Sequence, residues 1–380
     1  MVLPALVRFM VAVLVIGSLL FYGLGGWYFA DVVRADALEI EPDASVATVR
    51  IITASDTTVT FDATMGPVVR RDGWFGVTWQ SGTGLAGPIV EKVGSSVLRE
   101  FVPLSGDPIG AGDLVEFDPW VWSNPEEGLG LAFETVTYES PLGSMEAWFI
   151  AAETSDWVIA VHGKGADKRE ALRLTAIANR AGMNSLLIDY RNDSGAPRDP
   201  SGWYQYGRTE WEDLEAAIRY ALDEGAERIV LAGLSTGAVV VMSFLYQSHL
   251  ATDIDGVIFD SPNLDMAQTV RHGADQTDLP LIGIAVPSSL ATAAMWIAER
   301  RFGVDFDAWD YLSNAAELTT PMLVIHGNAD RTVPHSVSVD LATARPDLVT
   351  YEEFDAVAHM ESLNADRTRY ADVVMEFLDR

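Results

Sequence analysis

The chain contains no cysteine and only three lysines, Lys92, Lys164 and Lys168. The first absence excludes disulfides, thiolate nucleophiles and cysteine-based zinc sites. The second leaves arginine to carry nearly all the positive charge. Lysine and arginine together number 25 against 55 acidic residues, a formal net charge of −30. So negative a chain repels phosphate, which argues against a nucleic-acid partner. The charge fits a compositional bias serving solubility, or adaptation to high salt, and sequence alone leaves both readings open. Phosphate-cradling loops and dinucleotide fingerprints are also missing. Asp305, Asp307 and Asp310 lie close together but lack the glycine and glutamate of a calcium loop. No metal or cofactor is expected.

What is present begins at the N-terminus. Phe9 to Ala30 carries no charge and is strongly apolar, long enough to span a bilayer core as a helix. Arg8 precedes it; Asp31, Asp36, Glu39 and Glu41 follow, with Arg34 among them. That asymmetry places the bulk of the chain outside the cytoplasm, with Trp27 and Tyr28 at the outer interface. The rival is a signal peptide cut near Ala35-Asp36-Ala37, which would release a secreted protein. The apolar run exceeds a usual signal core, which favours a retained single-pass anchor at 9–30.

At 380 residues and 49% apolar, the chain suits two domains or one large one with additions. Residues 38–128 are β-rich: Val46 to Ile52, Thr57 to Phe61, Val68 to Trp79 (broken by a hairpin turn at Arg70-Arg71-Asp72-Gly73) and Leu114 to Trp122. Trp74, Phe75, Trp79, Trp120 and Trp122 are expected as the core of that region, with a recognition surface as the alternative. From about residue 130 strands and helices alternate. Expected strands are Phe133 to Tyr138, Ser144 to Ala151, Trp157 to Val161, Ser185 to Tyr190, Arg228 to Ala232, Gly256 to Phe259, Met322 to Ile325 and Tyr351 to Phe354. Helical spacing covers Lys168 to Arg180, Trp211 to Leu222 (with a Thr209/Glu212 capping box), the run after Gly237 and Arg369 to Leu378. This alternation predicts an α/β fold, a mainly parallel sheet with helices on both faces. The stretch 263–320 is too long for a loop and contains a helix-like Ser288 to Arg301. Above the strand ends it would form a helical cap.

Gly233-Leu234-Ser235-Thr236-Gly237 joins an apolar strand to a helix, as a nucleophile elbow requires. A serine hydroxyl needs a base, and the base needs an acid to fix its tautomer. Of six histidines, His359 lies between the last strand and the final helix, in the chain order Ser…Asp…His. His162 and His326, each before a glycine at a strand end, are expected to shape turns. His249 is expected to face solvent, His272 to belong to the cap, and His335 to start a helix. Asp330 is the candidate acid, with Asp260 as alternative. Backbone N–H groups of Thr236 and of Lys164, with Gly165 as substitute for the latter, are the candidate oxyanion donors. The Lys164 side chain is expected to point to solvent, the alternative being that its charge favours acidic substrates.

These residues together resemble the α/β-hydrolase superfamily. Gly233-Leu234-Ser235-Thr236-Gly237, His162-Gly163 after a strand, His326-Gly327-x-x-Asp330 and His359 are similar to its esterase, lipase and serine-aminopeptidase-like group. Asp189-Tyr190-Arg191-Asn192, Tyr206-Gly207 and Glu210-Trp211-Glu212-Asp213-Leu214 share the likeness, which covers about 130–380. It implies Ser235 as nucleophile, His359 as base, Asp330 as acid, and Lys164 and Thr236 as backbone donors. The implied function is a serine hydrolase cleaving an acyl ester. Amide or peptide hydrolysis and acyl transfer use the same triad, and a non-catalytic binding protein on the fold is a further alternative. Leu279 to Val286 and Ala291 to Ile297 are apolar, which suits a lipid-like acyl substrate or the cap's own core. No feature bears on oligomeric state.

Overall fold

The computed structural model describes residues 5–40, 47–120, 122–280 and 283–380. Glu41, Val46, Val121, Leu281 and Ile282, which the expectations above include, lie outside these. The apolar N-terminus is helical, as α1 (Ala5–Leu20) and α2 (Gly26–Val33), joined by a π turn at Phe21–Gly25 and continued by another at Arg34–Leu38. The helix therefore outruns the uncharged stretch by two turns. Those turns pack: Ala30, Val33, Ala37 and Leu38 are buried in the core below.

Six strands follow: β1 (Ala47–Ala54), β2 (Thr58–Asp62), β3 (Phe75–Trp79), β4 (Gly82–Val93), β5 (Ser96–Gly106) and β6 (Leu114–Asp118). They close into a barrel in the order β1-β2-β5-β4-β3-β6. Phe61, Phe75 and Phe117 fill it. Arg99 is fully buried against Phe75 and Phe117, donating to the carbonyls of Val69, Arg71, Gly73 and Gly87. Burial lowers its pKa to about 10. The hairpin expected at Arg70–Gly73 does not form. Pro67–Arg70 is a short 3-10 turn, and the Trp74 N–H leaves the barrel to donate to the Asn364 carbonyl at 3.0 Å. Of the aromatics expected inside, Phe75 and Trp79 are in the barrel core. Trp74 and Trp122 instead lie under the Arg367 guanidinium, and Trp120 under that of Arg169, against the rest of the molecule.

A short helix α3 (Pro125–Leu129) leads to eight further strands: β7 (Glu134–Ser140), β8 (Gly143–Ile150), β9 (Asp156–Val161), β10 (Asn184–Ile188), β11 (Arg228–Leu234), β12 (Gly256–Asp260), β13 (Met322–Gly327) and β14 (Val349–Phe354). They form one sheet in the order β14-β13-β12-β11-β9-β10-β8-β7, parallel except that β8 runs antiparallel to β7 and β10. Strand periodicity sends alternate side chains to opposite faces. Trp157, Ile159 and Val161 enter one core; Val158 and Ala160 enter the other. On the second face lie α4 (Leu172–Arg180) and the C-terminal helices α10 (Ser362–Ala365) and α11 (Arg367–Leu378). On the first lie α5 (Trp211–Asp223), α6 (Gly237–Gln247) and α9 (Ser336–Ala344). The capping box expected before α5 is absent, because Thr209 donates instead to Asp199 at 2.8 Å and Glu212 pairs with Arg191 at 2.9 Å.

Between β12 and β13 the chain builds α7 (Met266–Asp275) and α8 (Ser288–Phe302). α8 packs along α2. At Gly26 the two helices are close: a Cβ there would lie 2.9 Å from the end of the Ile297 side chain and 3.5 Å from the Ala293 Cβ.

Candidate active site

Ser235 stands between β11 and α6 with φ +50°, a strained left-handed conformation for a non-glycine residue. Its neighbours must be small. A Cβ on Gly233 would come within 2.6 Å of the Ala238 backbone, and one on Gly237 within 2.1 Å of the Val161 carbonyl. The Ser235 N–H donates to the Asp260 carbonyl at 2.9 Å, and its carbonyl accepts from Asn263 at 3.1 Å. The turn is thus pinned to the next strand.

The structure brings Ser235, His359 and Asp330 into one chain of hydrogen bonds. Ser235 Oγ lies 2.9 Å from His359 Nε2, and His359 Nδ1 lies 2.6 Å from Asp330 Oδ2. The other Asp330 oxygen accepts from the backbone of Thr332 at 2.7 Å and Val333 at 2.9 Å. Burial opposes the Asp330 charge, but hydrogen bonds from His326 and His359 outweigh it and hold the carboxyl well below its usual range. Burial likewise opposes charge on His359, and the bond to and charge of Asp330 overcome it, raising the imidazole above 6.5.

Asp260 does not face the histidine. Its buried carboxylate meets Tyr370 at 3.0 Å, Ser261 at 3.1 Å and Arg173 at 3.4 Å. Arg173 in turn donates to the Met360 carbonyl at 2.6 Å, so this group braces the loop that carries His359.

His326 was expected only to shape a turn. Its Nε2 lies 3.0 Å from the same Asp330 oxygen that binds His359, and its Nδ1 lies 2.7 Å from Ser338 Oγ. The sequence held one signal for it, the four-residue spacing from His326 to Asp330. His272, in α7, places Nε2 3.1 Å from the Asp330 carbonyl. His249 is exposed, and His335 precedes α9.

His162 caps β9 beneath the loop Gly163–Gly165. Its Nδ1 faces the Gly163 carbonyl at 2.9 Å and its Nε2 faces Asp193 at 2.9 Å. Both partners accept only, so both ring nitrogens carry protons. Burial works against that charge, but the charge and hydrogen bond of Asp193 lead the groups that raise the pKa to about 9. His162, Asp189 and Asp193 have ligand-type atoms within 4.8 Å of one another. Lys168 pairs with Asp189, so charge-assisted hydrogen bonds knit this group together. The Gly163 N–H is taken by buried Glu170 at 2.7 Å, a partner sequence reasoning missed. Lys164 and Thr236 line the cavity beside Ser235 and His359, and Gly165 turns the loop with φ +67°. The Lys164 side chain does not simply face solvent: its Nζ donates to the Asp36 carbonyl at 3.1 Å and sits 5.4 Å from the Tyr204 ring centre.

The cavity is about 550 Å³, the size of a small-molecule pocket. Ser235 and His359 lie on its wall. Val270, Ala274, Val286 and Ala294 from the segment between β12 and β13 supply apolar surface, as do Phe29, Val32, Val33 and Ala37 of the N-terminal helix.

No protein-family model matches the chain. An uncharacterized protein of Mycobacterium tuberculosis is 25% identical over 223 residues, 58% of this chain and 69% of that protein. The Pyrococcus furiosus esterase Pf2001 superposes with a TM-score of 0.54 at 18% identity, covering 68% of this chain and 96% of its own. DcsB, solved in complex with its substrate analogue, superposes with a TM-score of 0.50 at 16% identity, covering 65% of this chain and 98% of its own. These likenesses and the strand order show the α/β-hydrolase fold.

Proposed function

We propose that this α/β-hydrolase-fold chain is a serine hydrolase that cleaves acyl esters and is held at a membrane by its N-terminal helix. The carrying observation is the chain Ser235–His359–Asp330, with contacts of 2.9 and 2.6 Å. Ser235 Oγ attacks the acyl carbonyl while His359 Nε2 takes its proton. Asp330 holds the imidazole tautomer and stabilises the imidazolium. The backbone N–H groups of Lys164 and Thr236 receive the developing oxyanion. His359 then protonates the departing alcohol, and water attacks the acyl-enzyme by the same route in reverse. In this reading residues 130–380 form the catalytic domain, with 263–320 as its cap, and 38–128 an accessory barrel.

A fluorophosphonate probe labels the full chain and fails to label Ser235→Ala; equal labelling of both refutes the assignment. Retention of the helix is supported by its packing, since Leu38 and Ala37 are buried and the Ala37 carbonyl accepts from Tyr206 at 2.5 Å. Cleavage near Ala37 would cut through that contact. After alkaline extraction the full-length chain stays in the membrane pellet with its catalytic domain outside the cytoplasm; its release would refute the anchor.

A further inference from the structure

The N-terminal helix does not end where its uncharged run ends. It continues from Val7 to Leu38, 32 residues, or about 48 Å at 1.5 Å per residue. A bilayer core of about 30 Å takes about 20 residues, so a span starting at Phe9 leaves the core near Tyr28. Trp27 and Tyr28 are 54% and 53% exposed there, as interfacial rings are.

At this level α8 joins the helix. Arg301 donates to the Trp27 carbonyl at 3.1 Å and to Asp31 at 2.8 Å, fixing the junction. Trp296 and Ile297 of α8 line a cleft with Leu19 and Tyr22, which belong to the spanning stretch. Trp296 is 54% exposed, and so is Ile284 just before α8. Through Trp296 and Ile297, α8 therefore presents apolar groups alongside the outer half of the spanning stretch, below the level of Trp27.

One residue past Tyr28 the cavity begins. Phe29, Val33 and Ala37 share it with Ser235 and His359. From Phe29 to Ala37 the helix rises about 12 Å, so the cavity runs from the bilayer surface up to the nucleophile along the anchor itself. Its far end is tied to the loop beside Ser235 by Lys164 and Asp36.

We propose that the cavity binds the acyl chain of a membrane lipid ester entering from the bilayer beside α8, with the anchor helix as the wall against which the chain lies. This rests on the serine-hydrolase reading. The ester C–O bond breaks, the acyl group passes to Ser235 Oγ and then to water, and a fatty acid and a lipid alcohol leave.

The test uses the full chain in phosphatidylcholine vesicles containing a long-chain glycerol ester with a diazirine in its acyl chain. Photocrosslinks fall on residues 29–37, and an excess of unlabelled long-chain ester reduces them at least tenfold while a butyryl ester does not. Val33→Trp, which fills the wall, lowers the ratio of long-chain to butyryl turnover at least tenfold. If that variant fails to fold, the crosslinks on the unaltered chain decide. Crosslinks elsewhere, with Ser235 still labelled by fluorophosphonate, overturn the inference and leave the hydrolase reading standing. An unlabelled Ser235 removes the hydrolase reading itself.

Discussion

Asp330 Oδ2 serves two histidines at once, His359 at 2.6 Å and His326 at 3.0 Å. A base must be neutral to act. Because His359 is raised above 6.5, kcat/KM falls on acidification through a midpoint above that value; an acid limb below 6.5 would contradict the assignment. Removing the His326 donor concentrates the Asp330 charge on His359. His326→Leu therefore moves the acid limb upward by about half to one pH unit, read from the pH profile of kcat/KM. Asp330→Asn lowers kcat by roughly 10³–10⁴-fold, whereas Asp260→Asn acts first on thermal stability, since Asp260 braces the loop and does not touch the imidazole. His162 titrates in the opposite role, as a structural cation. Its pKa is raised from 6.5 to about 9, so its contribution to stability is full below 6.5 and is lost as pH rises through 9. The melting temperature declines over that window, and Asp193→Asn flattens the decline; an unchanged slope by differential scanning fluorimetry would show that His162 is not the imidazolium.

Among elements, the elbow is the one whose sequence and geometry correspond most closely. Gly237→Ala drives a Cβ to 2.1 Å from the Val161 carbonyl, and relief requires moving α6 off β9. The cost is about 3 kcal/mol or more, measured as loss of chemical stability together with loss of probe labelling. The same tightness made the elbow legible, because glycine at both flanks is a steric demand. The parallel strands were legible as well, since burial on both faces writes them as unbroken apolar runs. The hairpin β4–β5 was not. Gly82, Gly84, Gly87 and Pro103 interrupt its alternation, Val90, Val93, Val102 and Leu104 point outward, and the register shifts in places. α7 escaped notice because Gln268, Arg271, His272 and Gly273 dilute its apolar face. The last turns of the N-terminal helix were hidden because Asp31, Arg34 and Asp36 end the apolar run without ending the helix. Ser235, His359 and Asp330 could be read from motifs in chain order. Glu170 on Gly163 and the anchor residues in the cavity could not, since each arises from a tertiary contact across a turn or between segments distant in the chain, and His326 on Asp330 left only its four-residue spacing as a signal.

At the scale of the molecule, the barrel, the α/β body and the helix are tied together by polar contacts and packing. Arg71 pairs with Glu361, and the Asn364 amide donates to the Pro119 carbonyl at 2.9 Å. Glu361 and Asn364 follow His359 closely in the chain. The helix end is tied more firmly. Burial of Phe29, Val33 and Leu38 stabilises by roughly 1.5–3 kcal/mol per side chain. Deleting residues 1–38 exposes their partners and opens the cavity, and the truncated chain elutes as aggregate on size exclusion or melts several degrees lower. In the membrane-anchored reading proposed above, a continuous helix from Val7 to Leu38 would also fix the height and heading of Ser235 over the lipid. An enzyme held in that way would not search the bulk. Its turnover would follow the mole fraction of ester in the two-dimensional sheet around it, so that diluting the vesicles in buffer leaves the rate per enzyme unchanged, while diluting the ester with inert lipid slows it.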